Sequence, residues 1–232
     1  MEFLYDTKDK EKCWYKTICD GKKCGEGDFC IRHYKMSYLT NAAMMEGNQR
    51  YSVPLRPETV DTNAFVALRD IKDGINDFVK EGKSLLIYSK NTGNGKSSWA
   101  TKLLLSWFNS IWATTDFECR GLFVSLPKFV FAMKENIQKP NEYFEYMNDN
   151  IRTADLVVWD EINFKDWTPY ELDYLLSVID QRVSVGKANI YTTNYDLKTI
   201  AEKLGTRLAS RIRGNSECIE FKGKDRRGMN GK

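Results

Sequence analysis

Leu85-Leu86-Ile87-Tyr88-Ser89-Lys90-Asn91-Thr92-Gly93-Asn94-Gly95-Lys96-Ser97 reads as a buried strand that runs into a glycine-rich turn and then Lys-Ser. An apolar pattern of helical period follows it, with Trp99, Leu103, Leu104, Trp107 and Ile111 on or near one face. A turn of this kind points successive backbone N–H groups into one concavity, and the start of the next helix adds positive potential there. The expected cradle is Asn91, Thr92, Gly93, Asn94, Gly95, Lys96, Ser97 and Ser98. In it Lys96 reaches the β/γ-phosphates and the Ser97 hydroxyl joins a Mg²⁺ shell. A nucleoside triphosphate such as ATP fits that geometry. One letter departs from G-x-x-x-x-G-K-[ST]: Lys90 stands where the first glycine is usual. Gly93 and Gly95 still permit close backbone approach, so the turn is expected to survive.

The chain has 232 residues, 42% of them hydrophobic, with 12 Phe, 12 Tyr and 6 Trp, enough for a substantial core. That length suits one large domain, or a standard domain with a small appendage. No apolar run approaches the roughly 20 residues needed to cross a bilayer, so no membrane association is expected. Residues 1–12 alternate acids and lysines, which argues against a secretory signal and for a cytoplasmic, reducing setting without disulfides. The net charge of +3 is unevenly spread, with nine Lys and Arg against three acids in residues 203–232. Such a tail either touches phosphates or is simply solvated.

Four of the six cysteines, Cys13, Cys19, Cys24 and Cys30, are clustered, and His33, the only histidine, follows. Clustered thiols in a reducing compartment suit tetrahedral Zn²⁺, with His33 able to replace one sulfur. Packed free thiols and an iron–sulfur cluster are the competing readings. Helical character follows over 31–46, and Pro54 and Pro57 mark a linker. The expected division is a Cys-rich, zinc-binding domain with linker over 1–58 and a larger domain over 59–232.

Beyond the linker, apolar strands alternate with helices. A helix is expected over 64–79, and strands at 84–88, 122–125, 156–159, 188–193 and 218–221, with a helical insertion over 128–146. Thr168-Pro169-Tyr170-Glu171 carries an N-cap, a proline at the first helical position and a Glu at the third. Continuous apolar strands separated by helices imply an α/β fold with a five-stranded parallel sheet covered on both faces.

Val157-Val158-Trp159-Asp160-Glu161 places two acids at the carboxyl end of a strand, where ligands bind in open α/β sheets. Asp160, with Ser97, is the expected magnesium ligand, and Glu161 the group that polarises the attacking water. Asn194 ends the next strand and is placed to help orient that water. Arg207 and Arg211 follow at a spacing of four, on one helix face.

The ordered set Gly-Asn-Gly-Lys-Ser, Val-Val-Trp-Asp-Glu, Thr-Thr-Asn, Arg-Leu-Ala-Ser-Arg-Ile and Phe-Lys-Gly-Lys-Asp-Arg-Arg resembles the DnaC-type replicative helicase loaders. These are AAA+ P-loop ATPases, and the likeness is greatest to the DnaC-like proteins of phages of Gram-positive bacteria. It spans roughly residues 60–228, and the Cys-rich front is similar to the zinc-containing N-terminal domain of some loaders. The resemblance implies an ATP-dependent loader that places a ring-shaped, DnaB-type helicase on single-stranded DNA and self-associates when ATP is bound. It gives Lys96 and Ser97 the phosphate-loop roles, Asp160 and Glu161 the metal and water roles, and Asn194 the first-sensor role. Arg211 matches the arginine finger that acts on a neighbour's nucleotide. Arg227 matches the second sensor, with Arg226 the alternative. Only 38 residues follow Asn194, too few for a full helical lid; the loader branch is similarly short there. DNA contacts are sought among Phe129, Phe131, Lys134, Lys139, Tyr143 and Phe144. The other readings are an IstB-like transposition helper and a non-hydrolysing adaptor that binds the host helicase or its loader.

Overall fold

The computed structural model describes residues 13–15, 30–50, 55, 58–163, 167–214 and 216–225. Its centre is one parallel sheet of β1 (Ser84–Tyr88), β2 (Gly121–Ser125), β3 (Leu156–Asp160), β4 (Ala188–Thr193) and β5 (Ser216–Glu220), in the order β2-β3-β4-β1-β5. Because strand side chains alternate between faces, the apolar runs feed two cores. Leu85, Ile87, Val158 and Ile190 point to one, and Leu86, Val157, Trp159 and Tyr191 to the other.

The first core is closed by α1 (Ile31–Ala42), α2 (Thr62–Asp73), α3 (Ile75–Lys80) and α4 (Lys96–Ile111), through Met36 and Leu39, Leu68, Phe78, and Trp99 with Leu103. The second is closed by α5 (Leu126–Gln138), α6 (Glu142–Ile151), α7 (Pro169–Ser184), α8 (Leu197–Leu204) and α9 (Thr206–Gly214). The sheet is therefore covered on both faces, as continuous apolar strands require. The outer strand β5 keeps Glu217 and Glu220 exposed, which discourages further edge pairing. Among the described residues no helix is long and apolar enough to cross a membrane.

Several boundaries differ from the sequence expectation. The helix expected over 64–79 is broken at Gly74, which ends α2 and precedes α3, since glycine is a poor helix former. The insertion over 128–146 is two helices. Lys139, held extended (φ −149°, ψ 135°) ahead of Pro140, ends the first of them. The helix expected to reach residue 46 stops at Ala42, and Met44 adopts φ 57°. The last strand begins two residues earlier than expected, at Ser216. The capping box at Thr168 is present: Thr168 N–H donates to Glu171 Oε2 at 2.7 Å, and Glu171 N–H to Thr168 Oγ1 at 3.4 Å.

Arg182, on α7, was not singled out in the sequence and is fully buried. Its guanidinium donates to Asn189 Oδ1 (2.8 Å), Ile151 O (2.7 Å), Ala154 O (2.8 Å) and Ala188 O (2.6 Å). It thus ties α7 to the turn entering β3 and to the start of β4. Trp159 Nε1 shares the Asn189 acceptor at 3.1 Å.

Candidate functional site

The strand order sets β3, β4 and β1 side by side, so their carboxyl ends form one crevice. Gly93, Asn94, Gly95, Lys96, Ser97 and Ser98 line one side of it, and Glu161, Asn163, Thr192, Thr193 and Asn194 the other. The two stretches singled out in the sequence, 65 residues apart from Lys96 to Glu161, meet here.

On the β1 side, Gly93 (φ 64°) and Gly95 (φ 102°) take left-handed backbone conformations that a β-carbon would strain. Lys90 has no such conformation, as the non-glycine residues with positive φ are Met44 and Glu161 among those described. A side chain is therefore tolerated at that position, and this one reaches out of the loop to Asp196 Oδ2 at 3.1 Å. Asp196 also caps α8, accepting from Thr199 N–H at 2.8 Å. That amide, the Thr199 hydroxyl and Lys90 hold its carboxyl below the usual range. Lys96 is 7% exposed, with Nζ donating to Asn91 O (2.7 Å) and Asn94 Oδ1 (3.0 Å).

Across the crevice, Asp160 is the last residue of β3 and is 7% exposed. Burial raises its pKa, against hydrogen bonds to Thr192 and Ser97 and the charge of Lys96, which lower it. The shift is upward, so ionising Asp160 costs stability as pH rises through its folded-state value. A divalent cation at this carboxylate would offset that cost. A buried acid beside a serine hydroxyl is also the hard-oxygen donor set that magnesium prefers.

Glu161 turns the corner out of β3 at φ 61°. A non-glycine residue there carries local strain of the kind that collects at functional sites. What holds it is Thr192, which the sequence reading did not identify. Its Oγ1 donates to Asp160 Oδ1 at 2.6 Å and accepts from Glu161 N–H at 3.0 Å. One hydroxyl therefore fixes both acids. Asn163 does similar work for the next strand, its Oδ1 accepting from Asn194 N–H at 2.9 Å. The polar run Thr192-Thr193-Asn194 at the end of an otherwise apolar strand was the available signal for Thr192.

Arg207 and Arg211 are both exposed on α9, opposite the buried Leu208 and Ile212. Arg211 lies outside the set lining the crevice of its own chain. Its Nε pairs with Asp180 Oδ1 on α7 at 2.5 Å. Arg226 and Arg227 lie outside the described residues; Asp225, the last described residue, rests on the glycine-rich loop, accepting from Thr92 Oγ1 at 3.0 Å. Cys19 and Cys24 also lie outside the described residues. Cys13 and Cys30 are half-buried, and His33 lies against Trp14 with ring centroids 5.1 Å apart and planes tilted by 45°. Among the described residues, no group of three or more His, Cys, Asp or Glu is placed to hold a metal.

No protein-family model matches the chain. The replicative helicase loader DnaC of Escherichia coli (strain K12) is 25% identical over 139 residues, which cover 58% of this chain and 53% of that protein. The chain resembles the DnaC-type helicase loaders. It spans about half the length of the curated loader it matches. The crystal structure of the DnaC helicase loader superposes with a TM-score of 0.59 at 20% identity, over 72% of this chain and 93% of that one. The replication initiator DnaA bound to AMPPCP and single-stranded DNA gives 0.56 at 15% identity, over 72% of this chain and 48% of that one. At these identities the structural likeness speaks to fold. The five-stranded parallel sheet of this chain, with helices on both faces, shares the fold of those structures, in agreement with the parallel sheet expected from sequence.

Proposed function

We propose that the chain binds and hydrolyses ATP in the crevice between Gly93–Ser98 and Glu161–Asn194, and that it serves as a loader of a ring-shaped DnaB-type helicase onto single-stranded DNA. The carrying observation is the bridge made by Thr192. It places a buried carboxylate and a strained glutamate directly across from a lysine-bearing phosphate loop. The likeness to DnaC supports the loader half of the reading.

In this mechanism the amides of Gly93 to Ser97 and the Lys96 ammonium receive the phosphate oxygens, supplying fixed positive potential where negative charge is greatest. Ser97 and Asp160 hold magnesium, which when bound neutralises phosphate charge. Glu161 accepts a hydrogen bond from the attacking water and orients it, with Asn194 on the other side. Arg211 completes the site of a neighbouring subunit after leaving Asp180, and the helicase and DNA contacts favour that assembled state. Arg227 acts as the second sensor.

Thr192→Val keeps the side-chain shape and removes the hydroxyl. It is expected to lower turnover by about 10- to 100-fold, the scale on which groups behind a metal ligand act, with the melting temperature little changed. Parent-like turnover would remove Thr192 from the machinery. Arg211→Ala is expected to lower hydrolysis only at concentrations where the chain self-associates; an equal loss in dilute monomer would place that arginine in its own site.

We assign residues 1–58 to helicase binding and Cys13, Cys19, Cys24 and Cys30, with His33 as substitute, to zinc. The soft thiolates of that set suit zinc, and α1 within the segment packs on the same core as the sheet. Of the aromatics considered for DNA contact, Phe129 is 1% exposed and packs with the half-buried Phe144, while Tyr143 lies under Lys128. Phe131, 62% exposed, is the stacking candidate that is left, and Lys134 and Lys139 are exposed on the same insertion. ATP hydrolysis measured with and without a cognate helicase and single-stranded DNA tests the proposal. Stimulation by both is expected, and helicase capture with no turnover under any condition would show an adaptor instead.

A further inference from the structure

Asp61 stands at the N-cap position of α2, yet its carboxylate makes no hydrogen bond to that helix. It is 1% exposed, and it turns instead to the segment that follows β5. Lys222 N–H donates to its Oδ1 at 2.7 Å, and Gly223 N–H to Oδ2 at 3.0 Å and Oδ1 at 3.2 Å. Glu58 takes the next amide, that of Lys224, at 3.3 Å.

The opposite side of the same segment grips the phosphate loop. Asn91 Nδ2 donates to Lys222 O (3.1 Å) and Gly223 O (3.0 Å), and Asn94 Nδ2 donates to Gly223 O at 3.4 Å. Asn94 Oδ1 in turn accepts from Lys96 Nζ at 3.0 Å. Farther along, a β-carbon built on Gly93 would lie 1.8 Å from Asp225 Oδ1, so the segment rests directly on the loop. Polar contacts therefore run in one line from Asp61 through Gly223 and Asn94 to Lys96.

Phe221 N–H still donates to Tyr88 O at 2.8 Å, but residues 222–225 beyond it have no regular secondary structure, and side-chain bonds of this kind position them. Bonds from backbone amides to an ionised carboxylate are roughly twice as strong as neutral ones, which makes Asp61 the firm end of the line. We propose that Asp61 is a positioning residue for the phosphate loop. Through the strap 222–225 it holds Asn91 and Asn94, and with them Lys96, in the geometry that receives a triphosphate. Nucleotide affinity is thereby coupled to the chain entering α2 from residue 58. This rests on the reading of the crevice as a nucleotide site; Asp61 itself is not among the residues that line that crevice.

Two variants of the full chain test it. Asp61→Asn turns an amide NH₂ toward N–H groups that need an acceptor. Gly223→Ala leaves the carboxylate in place but adds a β-carbon 2.4 Å from Asp61 Oδ2 and 2.9 Å from Glu58 Oε2, prising the strap away. Hydrogen exchange of the amides of residues 90–97 without nucleotide is expected to quicken in both. The dissociation constant and KM for Mg·ATP are expected to rise about tenfold or more, as for supporting groups behind a bound ligand, while kcat stays close to the parent's. Folded variants with unchanged loop exchange, or with quickened exchange and unchanged affinity, overturn the inference. A fall in kcat at constant KM does so too. An ATP-binding parent with indifferent variants removes only the role of Asp61, whereas a parent that takes up no ATP removes the coupling and the nucleotide reading together.

Discussion

Glu161→Gln is expected to bind Mg·ATP as the parent does and to hydrolyse it about 10²–10⁴-fold more slowly, the range typical of a lost general acid–base group. The substitution keeps the size of the side chain and one accepting oxygen, and it leaves the backbone contact to Thr192 Oγ1 intact. What disappears is the negative charge that orients and polarises water. Binding is retained because Lys96, Ser97 and the loop amides, on the other side of the crevice, are untouched. A companion variant separates chemistry from strain. Glu161 sits at φ 61°, a conformation that costs a non-glycine residue about 1–3 kcal/mol. Glu161→Gly is therefore expected to stall turnover equally while raising the unfolding midpoint. Steady-state and single-turnover hydrolysis, with a binding isotherm for each variant, check this. A normal rate in Glu161→Gln would show that another group positions the water.

Arg182→Met should destabilise the fold by about 3–5 kcal/mol, since it leaves several buried neutral acceptors without a donor at roughly 1–3 kcal/mol each. Burial lowers the guanidinium pKa to about 10, so it remains charged at neutral pH inside the core. Its guanidinium donates to three backbone carbonyls and Asn189 Oδ1, and a methionine of similar length offers none of them a donor. The carbonyls of Ile151, Ala154 and Ala188 would then stand in a dry environment short of a hydrogen bond. For a chain of this size the melting temperature would fall by about 10 °C. Arg182 lies at the amino end of β4, the end opposite the crevice, so ATP affinity of the folded variant should not change. Urea unfolding measures the loss. A change below about 1 kcal/mol would mean that water replaces the guanidinium at little cost.

Sheet and crevice were legible because they depend on strong local signals. Val157-Val158-Trp159 ending in Asp160-Glu161 can hardly be other than a buried strand meeting solvent at its carboxyl end. The Gly93 and Gly95 spacing likewise encodes a backbone that few residues can adopt. Lys90 looked like a defect because the motif was read as letters; the backbone at that position never needed a glycine. Thr192 and Asp61 were illegible for a different reason. Each acts through partners distant in sequence, Thr192 on acids about 30 residues earlier and Asp61 on amides about 160 residues later. The polar run at the end of β4 singles out Thr192 as unusual, but nothing local to either residue names its distant partners. Arg182 was hidden in the same way, since an arginine in a helix pattern reads as a solvated face unless its acceptors are known. Helix ends at Gly74 and Lys139 were missed although the breakers were in view, because apolar spacing continues across both.

The most direct test of the account is a calorimetric titration of the chain with Mg·ATP beside the same titration of Lys96→Ala. Saturable uptake of one nucleotide per chain, abolished or severely weakened by the substitution, is the expected result. No uptake by the parent, or equal uptake by both, would contradict the assignment of the crevice as a triphosphate site.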